Sequence, residues 1–256
     1  MLAQDETHLI EGELLTDWGR LPSTSPSVTL VPMFTTLMYR ARVVAGMLLG
    51  RRDMSADDRN YRNLLLSGLW FGPVDGGIYN FLGVFLARLG ASAPVVSLLT
   101  SGPALVSMLA FIPGGALAER SSNQMKLFVR VTLVARLSYV VIACLPLLLT
   151  GSTLPLAIVL VWALAAIPNS IGQPAWTSAM AQAVPPSRRA TLNGTRWSLM
   201  SLLSGASLLV FGLWLDRGPF PLAYQAVFLL SFAAGVLNLY YFWRVIVPPF
   251  VPAPRD

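Results

Sequence analysis

Residues 137–187 read LSYVVIACLPLLLTGSTLPLAIVLVWALAAIPNSIGQPAWTSAMAQAVPPS, 51 consecutive positions without an Asp, Glu, Lys or Arg. A helix rises about 1.5 Å per residue, so about 20 apolar residues cross the hydrocarbon of a bilayer and this stretch holds most of two crossings. The polar run Thr150-Gly151-Ser152-Thr153, followed by Pro155, divides it as a hairpin. Backbone groups in lipid must be satisfied within the chain, which leaves helices or a closed barrel. Barrel strands alternate apolar and polar residues, whereas VVIACLPLLL is continuously apolar, so the stretch is helical.

Working outward, 30 uncharged residues separate Arg88 from Glu119, 19 separate Arg196 from Asp216 and 26 separate Arg217 from Arg244. These gaps predict crossings over about 64–86, 94–118, 128–149, 154–182, 191–215 and 221–246. The fold class is therefore an all-α membrane protein with six transmembrane helices in a domain spanning residues 54–247. Residues 1–53 form an extension before it and residues 248–256 a Pro-rich tail. Only 12% of residues are charged and 55% are apolar, against about 25% charged in an average soluble domain. Mean hydropathy is +0.62.

The net charge of +6 is spread between apolar blocks rather than clustered among polar neighbours, so it reads as topology and excludes nucleic acid as a partner. Arg51, Arg52, Arg59 and Arg62 precede the first crossing. Arg120, Lys126 and Arg130 follow the second, Arg188, Arg189 and Arg196 the fourth, and Arg244 and Arg255 the sixth. The opposite loops carry only Arg88 and Arg217. This bias predicts a multi-pass cell-membrane protein with both termini in the cytoplasm. In the extension, Asp5, Glu6, Glu11, Glu13 and Asp17 have the wrong charge for a signal peptide. Residues 27–50 are apolar but interrupted by Pro32, Arg40 and Arg42. They read as a cytoplasmic segment lying on the membrane surface, with disorder and a seventh crossing as the alternatives. Met54, at the head of MSADDRNYRNLLLSG, is an alternative start.

One cysteine, Cys144, and one histidine, His8, exclude disulfide frameworks and multi-cysteine metal sites and remove the commonest general base. No catalytic nucleophile with a base, P-loop or Gly-rich nucleotide loop is present, and no metal or other cofactor is implied. The informative residues lie inside the crossings. On a helical wheel Gly68, Gly72, Asp75, Gly76, Tyr79 and Gly83 fall within about 100° of one another. The glycines suit close helix packing. Asp75 needs another reason, because a charge at the bilayer midplane costs about 2.5–3.5 kcal/mol on insertion scales. It is half of an intramembrane ion pair, part of a substrate or proton pathway, or simply protonated without a function. Arg136 in the third crossing is the candidate partner, since helix rise puts it about 14 Å from the cytoplasmic end and Asp75 about 16 Å. In the fourth crossing Asn169, Gln173 and Trp176 share a face between Pro168 and Pro174. They read as a bent, cavity-lining helix, with interhelical hydrogen bonding as the alternative. The fifth carries Ser198, Ser201, Ser204, Gly205 and Ser207, residues suited to tight packing.

Gly115-Ala116-Leu117-Ala118-Glu119-Arg120 resembles the start of the G-x-L-A-D-R-x-G-R-R loop between the second and third helices of the major facilitator superfamily. Glu119 replaces the aspartate, and Ser122 and Asn123 stand where glycine and arginine are expected. The loop Val184-Pro185-Pro186-Ser187-Arg188-Arg189-Ala190-Thr191-Leu192-Asn193-Gly194 is similar to that family's link between helices four and five. The resemblance covers residues 60–246. It implies a gating contact at Gly115, Glu119 and Arg120, and a cavity lined by helices one and four, where Asp75, Tyr79, Asn169, Gln173 and Trp176 lie. It also implies a second six-helix half, so the chain reads as the amino-terminal half or a truncated form of a transporter, with a homodimer as the alternative. The expected function is secondary active transport of a small solute by alternating access in the lipid bilayer. The competing reading is a six-helix scaffold or assembly protein that transports nothing, and an enzyme is not expected.

Overall fold

A computed structural model of the chain describes residues 55–247, so the expectations for residues 1–53 and for the tail 248–256 lie outside the described residues. The described chain is helical throughout: α1 (Ala56–Val74), a π-helical turn (Asp75–Tyr79), α2 (Asn80–Arg88), α3 (Ala93–Glu119), α4 (Gln124–Leu148), α5 (Thr153–Leu164), α6 (Ala166–Ala183), α7 (Pro186–Arg217) and α8 (Leu222–Trp243). Helix starts follow local chemistry. Ser55 caps α1 by accepting from the Asp58 N–H at 3.1 Å, with Asp57 and Asp58 in the first turn opposing the helix dipole. Asn123 caps α4 by accepting from the Lys126 N–H at 3.0 Å. Pro186, which has no N–H to leave unsatisfied, opens α7.

Five helices are long and apolar enough to cross a membrane: Ala93–Glu119, Gln124–Leu148, Thr153–Ala183, Pro186–Arg217 and Leu222–Trp243. The expected first crossing, 64–86, is not among these five. It falls on α1, the π turn and α2, a rod whose ladder changes register two residues after Pro73 and whose first turns are charged. Proline removes one ladder hydrogen bond and crowds the preceding turn, and the Asn80 side chain takes up a carbonyl within the distortion by donating to Asp75 O at 2.6 Å. The fourth crossing, expected as one helix, breaks at Ala165. The cause is Pro168, which cannot donate to the carbonyl of Leu164.

Side-chain hydrogen bonds mark the two ends of the bundle. At one end Asn60 of α1 donates to the carbonyls of Ala183 (3.2 Å) and Ile246 (2.8 Å) and accepts from the Ile246 N–H (2.8 Å). At the other, Arg88 donates to the Tyr224 hydroxyl at 3.3 Å. α1 packs chiefly on α7 and α8, α4 on α6 and α8, and α3 on α5 and α6. The apolar core runs through Val74, Ile78, Leu82 and Phe85, with Ile142 and Ile158 on one side and Tyr224, Val227 and Phe228 on the other. Outward faces are equally apolar: Leu105, Met108, Leu109 and Ile112 are 64–83% exposed. Water makes such a face unfavourable, whereas hydrocarbon or a second apolar bundle does not.

Candidate functional site

Two arginines define the interior. Arg136 sits about 18 Å along α4 from Gln124 by helix rise and is 4% exposed. Its guanidinium donates to the Gly235 carbonyl and to Asn238 Oδ1, the latter at 2.7 Å. Asn238, fully buried, donates in turn to the Ser67 carbonyl at 2.5 Å, so this polar chain ties α4 to α8 and α1. Gly235 suits the close approach, since a Cβ there would lie 3.0 Å from Arg136 Cδ and press on the arginine side chain. Arg136 Cζ also stands 5.8 Å from the centre of the Phe71 ring.

Arg196 lies ten residues into α7, about 15 Å from its start. Its stem crosses α1 at Gly68, where a Cβ would be 2.6 Å from Arg196 Cγ. Its guanidinium rests against both the Trp176 and Phe242 rings, 5.0 and 5.6 Å from their centres. Those two rings and Phe128 form a mutually tilted cluster. Cation–π contact offsets part of the desolvation of such a group, but Arg196 Nε is buried without a hydrogen-bond partner among the described residues.

Both arginines open on a cavity of about 590 Å³, which Asn169, Gln173, Trp176, Trp197 and Asn238 also line. A second cavity of about 600 Å³ lies toward the α2 end, bounded by Leu82, Gly83, Leu99, Thr100 and Trp162. The two share Tyr79, Ser107, Tyr139 and Asn169. At this shared waist the Tyr139 and Tyr79 hydroxyls are 3.4 Å apart, and the Tyr79 ring meets the Tyr139 and Trp162 rings edge-on at 6.4 and 5.4 Å. Neither cavity wall includes a carboxylate among the described residues.

Of the residues singled out from the sequence, Tyr79 and Asn169 line both cavities, and Gln173 and Trp176 line the arginine-bearing one. Asp75 does not join them. Its carboxylate accepts from the Ser204 hydroxyl at 2.7 Å, on the seam between α1 and α7. The expected ion pair with Arg136 is thus not formed. α1 turns Asp75 toward α7, while Arg136 is taken up by α8. At the expected gating loop Glu119 and Arg120 are exposed, and neither makes an ion pair among the described residues. Near this end α3 packs on α6, with Gly114 against Ser170 and Ile171. Around Gly115 there is open space. The ion pair at this end joins Arg188 to Asp58 at 3.0 Å, linking the starts of α7 and α1. Sequence reasoning missed Arg196, Asn238 and Trp162. For Arg196 the available signal was the Pro185-Pro186 pair, which marks a helix start well before residue 191.

Long apolar helices packed around a polar, arginine-bearing interior define an integral, multi-pass membrane protein. The family model described as Major Facilitator Superfamily matches residues 64–256, and the chain belongs to this superfamily of membrane transporters. No curated protein and no solved structure matches the chain.

Proposed function

We propose that the protein is a secondary active transporter that moves a small solute by alternating access. The observation that carries this reading is the pair of cavities meeting at the Tyr79–Tyr139 waist. Superfamily membership and the cavity volumes, both within the roughly 300–1,000 Å³ range of small-molecule sites, support it. In this reading α1, the π turn and α2 form the sixth crossing, and the arginine-rich end and both termini face the cytoplasm of a cell-membrane protein. Asn169, Gln173 and Trp176 contact the solute, and Tyr79 with Tyr139 separates the two access routes. Asp75 carries the coupling proton or cation at the α1–α7 seam rather than touching the solute. Loss of its charge would weaken the Ser204 bond and ease sliding of the two helices. The outward Met108, Leu109 and Ile112 meet lipid or a second six-helix bundle, whether another half or a homodimer partner. Glu119 and Arg120 make their gating contact in another conformation.

The scaffold reading has one observation in its favour: the Arg136–Asn238–Ser67 chain is satisfied like structural glue. Proteoliposomes made with the protein purified in its native assembly separate the two. With a pH-sensitive dye inside and gradients of amino acids, sugars, organic acids and organic cations outside, transport predicts that at least one gradient moves protons or solute. Asp75→Asn then abolishes the proton movement. Fluxes equal to those of protein-free vesicles for every class refute transport and leave the scaffold.

A further inference from the structure

We propose that the arginine-bearing cavity selects an organic anion with a planar apolar body, such as an aromatic or other unsaturated carboxylate. This inference rests on the transport reading and names the substrate class of the same site.

Two guanidinium groups, Arg136 and Arg196, line one cavity, and no carboxylate lines it among the described residues. Arginine stays protonated at any physiological pH, so the cavity holds two positive charges and attracts opposite charge. Asp75, the acidic residue nearest in depth, is turned away to Ser204. The ion pair of the described chain, Arg188 with Asp58, is 40–55% exposed and lies at the bundle end. No carboxylate of the described residues supplies counter-charge in this cavity, and an entering anion would supply it.

Each guanidinium is held rather than loose. Gly235 and Gly68 leave the space that the two arginine stems occupy. Asn238 and the Gly235 carbonyl engage one hydrogen each on two of the Arg136 nitrogens, which leaves further N–H donors on a fixed fork. Arg196 is fixed by stacking alone, so its donors remain available, with Nε unpartnered. Planar, pre-positioned guanidinium forks suit a carboxylate bidentately.

The rest of the wall argues against a small inorganic anion. About 590 Å³ greatly exceeds the space of a phosphate or sulfate. Phe71, Phe128, Trp176, Trp197 and Phe242 contribute aromatic surface that such an ion would leave uncovered, whereas a flat apolar body stacks on it.

The test uses three isosteric probes, benzoate, benzamide and benzylammonium, titrated into the full chain in detergent or nanodiscs with intrinsic tryptophan fluorescence as the readout. Benzoate is expected to bind at least about tenfold tighter than either of the others, with salt weakening the preference. Arg196→Gln is expected to erase that preference at an unchanged melting temperature, and Arg217→Gln, at the exposed end of α7, to leave it intact. Because removing Arg136 charge can disrupt folding, Arg136→Lys is the second variant, expected to weaken benzoate binding while retaining the sign of the selectivity. Benzylammonium binding as tightly as benzoate, benzoate binding indifferent to both cavity variants, or no binding of any probe would each overturn the proposal. Anion-selective binding without vesicle uptake leaves this inference standing and removes the transport reading. Uptake confined to neutral or cationic solutes does the reverse.

Discussion

Replacing Gly76 by alanine tests whether α1 and α7 touch at the backbone beside Asp75. A Cβ built on Gly76 collides with the Ser204 carbonyl and lies 3.0 Å from both the Leu208 nitrogen and Ser207 Cβ. Two of these three neighbours are backbone and cannot swing aside, so the helices must separate. Overpacking of this kind costs about 1–3 kcal/mol, and an unyielding backbone contact belongs at the upper end. The better helix propensity of alanine returns up to about 1 kcal/mol, for a net loss of about 2 kcal/mol. At about 2–4 °C per kcal/mol for a domain of this size, melting should fall by about 4–8 °C. Gly205→Ala is the matched control, one residue from Ser204 on the same helix, because its Cβ meets nothing within 4 Å. It should leave the melting temperature unchanged or raise it by about 2–4 °C. Circular dichroism of the purified variants through a thermal ramp measures both. Equal shifts for the two substitutions, or a Gly76→Ala protein melting at or above the parent, would refute a close α1–α7 seam. With it would go the placement of Asp75 against Ser204.

Asn238→Ala should destabilise by about 1–3 kcal/mol, because it leaves an Arg136 N–H unpaired in the interior and removes the hydrogen bond that ties α8 to the Ser67 carbonyl; a thermal melt checks it, and an unchanged melting temperature contradicts the tie. Asp58 behaves differently, being exposed at the bundle end. The Ser55 hydroxyl first, then Arg188, hold its carboxyl below the ordinary value of 3.8. A carboxyl depressed in the folded state stabilises above its unfolded value and loses that contribution as pH falls through the folded one. The difference in melting between the parent and Asp58→Asn should therefore be small and constant above about pH 5 and close only below about pH 3.8. A difference that instead grew toward low pH would contradict the Ser55–Arg188 arrangement.

Charge-free length read out most of the helices correctly because hydrocarbon thickness is a hard constraint: α3, α4 and α8 begin and end within a few residues of the expected crossings 94–118, 128–149 and 221–246. Boundaries failed where proline intervened. Pro168 splits the fourth segment at Ala165, and Pro186 starts the fifth helix five residues early. The second error had a functional consequence. With the helix begun at 191, Arg196 read as a loop charge, whereas a start at Pro186 places it about 15 Å inside the bundle and on the cavity wall.

The fate of the glycine stripe explains why the interior pairing was not legible. A wheel of constant pitch groups Gly68, Gly72, Asp75, Gly76, Tyr79 and Gly83 on one face. In the structure Gly68, Gly72 and Gly76 do share a face, against Arg196, Leu203 and Ser204 of α7. The π-helical turn then inserts one residue into the ladder, rotating everything after it by roughly 100° relative to the wheel. Tyr79 consequently leaves the α7 seam for the waist between the two cavities, and Gly83 comes to face Leu99 of α3. Asp75, at the first residue of that turn, stays with the glycines and is carried to Ser204. Depth along the axis is additive and can be counted from sequence, but azimuth depends on every ladder bond being regular. One irregular turn therefore separates the carboxylate from the cavity and leaves Arg136 there without it.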